Sequence, residues 1–280
     1  MVARFLKTSR LNFFTVTDSW LTPLNKLESA TILLYKIYVA YLYDYISRFD
    51  RFELLKKLSE SSVGDPLLVR YRGSVISQDL CNSIQEYYSI TQDIHVDMRN
   101  VLDIAELGAG YGRLAYIFLK VLPNVNYTII DIPPALYVAQ KYITKIFPNE
   151  TIFSFKRFNS FTQIEKEFRK SRIRFLMPHQ IEHIPKDFFD MMINISSFHE
   201  MRRNQINNYL KQADRLTKYY FYSKQWKKSK ALDNNYIQED QYSIPVRWKN
   251  IYHRRHPIQS LFFEALYKTR NENHTFMQGL

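Results

Sequence analysis

The chain is 280 residues long and 46% hydrophobic, enough for one substantial core or for a core with an accessory domain. Its 39 Lys and Arg against 27 Asp and Glu leave a net charge of +12, which suits anionic partners (nucleic acid, acidic glycans or an anionic membrane surface) without choosing among them. A single cysteine, Cys81, excludes an intrachain disulfide and points to a reducing compartment.

The stretch from Met1 to Thr17 is basic but has no continuous apolar run and no small-residue cleavage site, so no secretory signal is expected in it. Residues 18–60 read as helices. Asp18 or Ser19 can cap the first, and apolar residues recur at helical spacing through Leu33, Ile37, Ala40 and Tyr41. The most apolar stretch, 32–46, contains Lys36 and Asp44; it is too short and too charged to span a bilayer, and a cytoplasmic location is expected. Val63-Gly-Asp-Pro66 and Tyr71-Arg-Gly-Ser74 mark turns. Residues 77–90 predict a further helix with Leu80, Ile84, Tyr87 and Tyr88 on one side and Cys81 as a small buried hydrophobe. Residues 1–98 are read as a helical amino-terminal cap region, and 99–280 as the main domain.

From residue 99 strand and helix alternate, the pattern of a parallel sheet with right-handed crossovers. Strands are predicted at 101–107, 127–132, 173–177, 189–196 and 219–224, with a helix over 134–147 stopped by Pro148. The long connection after it predicts a short strand at 151–155 and a basic amphipathic helix at 162–170. Beyond Lys227-Lys-Ser-Lys230 a polar loop runs through Asp240, and a final strand pair is expected before residue 270.

Three of the six glycines, Gly108, Gly110 and Gly112, fall between the first of these strands and the helix that follows. Glycine clusters so tightly where the backbone needs positive φ or where something must approach the main chain. At the carboxyl end of a parallel strand, that is commonly a nucleotide-like ligand. A dinucleotide fingerprint would need a small residue at position 113, where Arg113 stands. The pattern is instead an acid, Glu106, two residues before the first glycine of G-x-G-x-G. A carboxylate there would repel a pyrophosphate but suits the α-ammonium group of S-adenosylmethionine (SAM). Asp131, nineteen residues after Gly112 at the end of the second strand, can accept both ribose hydroxyls of an adenosine, or cap the helix that Pro133-Pro134 opens.

The ends of the next two strands supply the remaining candidates. In Pro178-His-Gln-Ile-Glu182, the amide of Gln180 can hydrogen-bond an adenine edge, or the segment is a polar surface loop. In Asn194-Ile-Ser-Ser-Phe-His-Glu-Met201, Asn194 joins the cofactor candidates and His199 has the chemistry of a general base near neutral pH. Glu200 can orient that imidazole, act as the base itself, or help hold a divalent cation. His253-Arg-Arg-His256 lacks further ligands for a metal and reads as a basic surface patch, while His95 and His183 have no discriminating context.

Glu106-Leu-Gly-Ala-Gly-Tyr-Gly-Arg-Leu-Ala-Tyr116, Asp131-Ile-Pro-Pro-Ala-Leu-Tyr137 and Ile195-Ser-Ser-Phe-His-Glu-Met201 together resemble the bacterial sugar O-methyltransferases, a family of class I SAM-dependent methyltransferases. The likeness runs over about 60–255 and includes Gly64-Asp-Pro66 and Glu86-Tyr-Tyr88. It implies an α/β fold with a Rossmann-like class I methyltransferase sheet, helices on both faces and a helical amino-terminal region. It implies SAM as cofactor and S-adenosylhomocysteine (SAH) as product. The acceptor would be the hydroxyl of a surface-polysaccharide precursor, a nucleotide- or lipid-linked sugar, the latter bringing peripheral association with a membrane. A divalent metal is not indicated. Two other readings stay open: a methyltransferase of nucleic acid or protein, and a SAM-binding module without turnover. Against the first, no RNA-recognition module is present and the fourth strand lacks an Asn-Pro-Pro-Tyr motif, so nucleic acid is not expected as a partner.

Overall fold

A computed structural model describes residues 29–94, 101–230 and 236–270. The stretch 1–17, the helix cap expected at Asp18 or Ser19, and His95 lie outside them. In chain order the elements are α1 (Ser29–Ile46), α2 (Leu54–Lys57), β1 (Val69–Tyr71), β2 (Ser74–Ile76), α3 (Gln78–Thr91), β3 (Leu102–Leu107), α4 (Arg113–Val121), β4 (Val125–Ile130), α5 (Pro133–Ile146) and β5 (Ile152–Phe153). They continue with α6 (Glu165–Lys170), β6 (Ile173–Leu176), β7 (Phe189–Ile195), α7 (Arg203–Leu216), β8 (Thr217–Trp226), β9 (Lys228–Lys230), β10 (Tyr236–Gln238), β11 (Lys249–Arg255) and β12 (Phe262–Lys268).

By their internal contacts the residues divide into two compact units, the first comprising Met1–Gln92, Gly110–Val121 and Tyr137–Asn149, the second the remainder. In the first, α3 packs against both α1 and α4. It starts where Ser77 Oγ accepts the Leu80 N–H at 3.0 Å, the side-chain cap that serines supply at helix starts. Lying between two helices, α3 buries every residue except Asp79, its polar ones included. Cys81 is fully buried as expected, and burial pushes its thiol pKa up. Tyr87 of α3 meets Phe118 of α4 edge to face, ring centroids 5.1 Å apart.

The expected face of α1 requires correction. Tyr35, Val39, Leu42, Tyr43 and Ile46 are buried, whereas Leu33, Ile37 and Tyr41 stand more than half exposed. The helix is apolar nearly all round, so spacing alone does not select which stripe turns inward.

The second unit is built on an eight-stranded sheet of order β11-β12-β8-β7-β3-β4-β6-β5. The strands from β5 to β8 run parallel, and β12 is antiparallel to both β8 and β11. Every residue of β6 and β7 is buried, which is why both read as continuous apolar runs rather than alternating ones. Ile206, Leu210, Ala213 and Leu216 of α7 and Phe168 of α6 share one core with Phe189, Met192 and Phe221 of the sheet.

Charged groups lock the amino ends of the strands. Arg174 on β6 is 1% exposed; its Nη1 donates to Asp103 at 2.6 Å, and its Nε donates to the carbonyls of Phe168 and Ser171. Lys218 meets Asp190 at 2.9 Å, and Asp190 in turn accepts the Asp103 N–H.

With the two-residue edge strand β5 set aside and counting from β3, the parallel strands are ordered 3-2-1-4-5, followed by the antiparallel pair, with the direction of winding reversing between β3 and β7. This is a Rossmann-like, doubly wound sheet. Several boundaries differ from the sequence reading. The second strand ends at Ile130, which leaves Asp131 just beyond it. The helix expected over 162–170 is a 3-10 turn, Phe161–Gln163, followed by α6. The final pair is β11–β12, preceded by the small β9–β10 ribbon. His256 is no surface residue: it is buried, and its Nδ1 accepts the backbone N–H of Gln259 at 2.9 Å and of Ile258 at 3.3 Å.

Candidate active site

Winding reverses between β3 and β7, and open α/β sheets hold their ligands beyond the carboxyl ends of the strands at such a point. Asn194, the next-to-last residue of β7, bridges the two strands. Its Nδ2 donates to the Leu107 carbonyl at 2.8 Å and to Ser197 Oγ at 2.6 Å, and its Oδ1 accepts from Gln225 Nε2 at 2.5 Å. Asn194 is wholly buried, so its amide fixes the ends of three strands, β3, β7 and β8.

Gly108 lies against this bridge with φ 74°, its N–H donating to the Ile130 carbonyl at 2.8 Å. A Cβ placed on it would fall 2.5 Å from Ser197 Oγ and nearer still to Ser197 Cβ. Glycine is thus required at 108 by a protein contact, apart from any ligand. Gly110 and Gly112 also have positive φ, 59° and 86°, as the sequence predicts. A Cβ on Gly110 would meet nothing within 4 Å, so open space faces the backbone there.

Glu106 is buried near the end of β3 and accepts the Tyr127 hydroxyl at 2.7 Å on Oε2. Asp131 follows β4 directly; its Oδ1 accepts the Ile132 N–H at 2.7 Å, and its own N–H donates to the Leu176 carbonyl. These two acids therefore sit at the carboxyl ends of adjacent strands, in register at Glu106↔Ile129 and Leu107↔Ile130.

Gln180 is buried within the 3-10 turn Pro178–His183, not in an exposed loop. Its Oε1 accepts the Met177 N–H at 2.9 Å and its Nε2 donates to the Lys156 carbonyl at 2.8 Å, so it pins this turn to the segment after β5. It also lines a cavity of about 360 Å³ with Phe155, Phe158, Met177, His179 and His183.

His199 lies in the 3-10 turn Phe198–Glu200 that follows β7. The chain leaves the strand through Ser196, a non-glycine residue at φ 50°, the kind of strain found where a side chain must be presented. The His199 ring stands edge-on to Trp226, centroids 6.2 Å apart, and Trp226 lies 4.4 Å from Phe262. Its Nδ1 is buried without a hydrogen-bond partner. Burial lowers its pKa, only partly offset by the Glu200 carboxylate, so the imidazole is neutral at neutral pH. Glu200 is itself 71% exposed, and 3.6 Å from His199 Nε2 its oxygen is beyond hydrogen-bond range.

Arg113 finds its carboxylate in the first unit. Its Nη1 and Nη2 donate to Glu86 at 2.5 and 3.0 Å, and Nη1 also donates to Ser83 Oγ at 2.8 Å. Among the described residues no group of three or more His, Cys, Asp or Glu could hold a metal, and no helix is long and apolar enough to cross a membrane. Sequence reasoning missed Ser197, Gln225, Tyr127 and Trp226. Ser197 lies within a block already quoted, whereas Gln225 and Trp226 follow the predicted end of their strand by one and two residues.

No protein-family model matches the chain, and no curated protein matches it in sequence. It is similar in structure to a Burkholderia thailandensis 1,6-didemethyltoxoflavin-N1-methyltransferase solved with SAH, at 12% identity and TM-score 0.43, over 91% of this chain and 94% of that one. It is also similar to human N-acetylserotonin methyltransferase solved with SAM, at 14% identity and TM-score 0.36, over 69% of this chain and 56% of that one. A third, the citrinin polyketide synthase CMeT domain, aligns at 11% identity and TM-score 0.43, over 69% of this chain and 52% of that one.

Proposed function

We propose that the chain is a SAM-dependent O-methyltransferase acting on a sugar hydroxyl of a surface-polysaccharide precursor. The observation that carries the reading is the acid-x-G-x-G-x-G loop at the carboxyl end of β3, with all three glycines at positive φ and open space over Gly110. Asp131 at the end of the neighbouring strand supports it.

The donor set fits this cofactor. Glu106 offers a buried carboxylate to an ammonium, Asp131 offers one to a ribose, and the loop's backbone admits close approach. Asn194 and Gln180 serve the site through the backbone they fix, since their amides are spent on protein partners. When bound, SAM supplies a methyl group on a sulfonium, ready for in-line displacement. The remaining demand is an acceptor oxygen held in line and relieved of its proton. His199, neutral and placed just past the end of β7, would take that proton from the acceptor hydroxyl. Glu200, exposed and not hydrogen-bonded to the ring, adds only a weak field that favours the imidazolium so produced.

A sugar acceptor is supported by the sequence likeness, by the half-exposed Trp226 beside His199, which offers a face to a pyranose ring, and by the charge of +12, which suits anionic carriers. Incubation with methyl-labelled SAM and a panel of nucleotide sugars tests it. Label on a sugar hydroxyl is expected; label only in RNA or protein would replace the acceptor, and SAM binding without transfer to any of them would replace the activity.

A further inference from the structure

The turn Pro178–His183 and the segment after β5 enclose a cavity that the proposed methyl transfer leaves unused. Gln180 holds the two together, its Nε2 on the Lys156 carbonyl, and the space between them is about 360 Å³, within the size range of small-ligand pockets. The other polar residues lining it are Arg157, Asn159, His179 and His183, all exposed, and no acid is among the lining residues. Among the described residues, the side chains of Arg157, Asn159 and His179 have no hydrogen-bond or ion-pair partner. The charges nearby are otherwise engaged: Lys156 pairs with Glu167, and Glu182 acts on Arg215 and Tyr209 of α7.

These groups offer donors in excess and lack an anion. A guanidinium presents a planar fork of N–H groups that matches a phosphate, and the imidazoles and the Asn159 amide add further N–H donors. The rest of the lining is apolar, with Phe155, Met177 and the buried Phe158, whose ring meets that of His183 at 5.8 Å. A bare phosphate would use the cations and leave the rings idle, whereas a nucleoside phosphate uses both, its base against an aromatic face. SAM does not suit the lining, since it carries no phosphate and its sulfonium is a cation. The position is also separate from methyl transfer. Met177 follows β6, whose Leu176 carbonyl accepts the Asp131 N–H, so the cavity lies on the β5 side of Asp131, away from β3 and β7.

We infer that this cavity binds a nucleoside phosphate, with the phosphate on Arg157 and the histidines; the assignment does not depend on the use of SAM. The test is calorimetric titration of the wild-type chain, Arg157→Ala and Arg70→Ala with UDP, GDP and inorganic pyrophosphate. Arg70 is an exposed residue of β1, so its variant removes the same charge elsewhere and reads out non-specific attraction to a basic chain. The wild type should bind at least one of the two nucleotides more tightly than pyrophosphate. Arg157→Ala should weaken that binding roughly tenfold or more, the worth of hydrogen bonds between charged groups, and Arg70→Ala should change it by less than about twofold. Saturating SAH should leave nucleotide affinity unchanged. Binding of neither nucleotide would overturn the assignment, as would equal losses in the two variants. Pyrophosphate binding as tightly as the nucleotides would strike the nucleoside from it, and competition by SAH would return the cavity to the cofactor.

Discussion

His199 owes its proposed role to two features that act together, a position just past β7 and a pKa lowered by burial. A base must be neutral, so turnover should rise with pH through the lowered pKa and be level by pH ~6.5, the ordinary histidine value. The same shift makes the folded chain lose stability as pH falls below that value, because the unfolded histidine takes up its proton first. His199→Ala should lower kcat steeply, by roughly a hundredfold or more, and leave SAH affinity unchanged. A variant with normal turnover would remove it as the base. Asp131→Ala should weaken SAH binding by tenfold to about a hundredfold, from two lost hydrogen bonds to a carboxylate; unchanged affinity in the calorimeter would end its ribose role. Gly108 presents a different case, because its need is structural. Gly108→Ala should cost about 2–4 kcal/mol in denaturant unfolding, combining a positive φ with an overlap on Ser197. Adding Ser197→Gly should recover the overlap part only, and full recovery would show that φ costs nothing there.

At the level of elements, the parallel strands were legible because burial on both faces writes itself as an unbroken apolar run, as in β6 and β7. The glycine turn was legible because three positive-φ residues leave few choices of amino acid. Helix α3 was legible as a helix but not as a buried one. The sequence placed only Leu80, Ile84, Tyr87 and Tyr88 on one side of it, and packing against both α1 and α4 takes Gln78, Asn82, Gln85 and Glu86 out of water as well. The inward stripe of α1 was hidden for the opposite reason, an excess of apolar residues. Gln180 and Asn194 were found as polar residues at strand ends, yet which atoms they bond depends on register and turn geometry that spacing does not encode. The bond between α3 and the glycine turn is testable as an element-level lock. Glu86 is fully buried and paired bidentately with Arg113, so Arg113→Leu should destabilise the fold by about 3–5 kcal/mol. The Arg113→Leu/Glu86→Leu double variant should recover much of that loss, and a thermodynamic cycle showing no coupling would refute the lock.

For the molecule as a whole, sheet order and site placement agree: the acids, the glycine turn and the histidine fall at carboxyl strand ends, while the charged locks of Arg174, Asp103 and Asp190 close the amino ends. A ligand bound only by the folded chain must stabilise it, by about 2.7 kcal/mol at a concentration one hundredfold above its Kd. Melting in the presence of SAH should therefore shift upward with concentration, whereas NADH should leave it unmoved. The most direct measurement is calorimetric titration of the purified protein with SAH, with NADH as the control. Micromolar binding of SAH and none of NADH is the predicted result; absence of SAH binding would contradict the assignment of the glycine loop to SAM and, with it, the proposed methyl transfer.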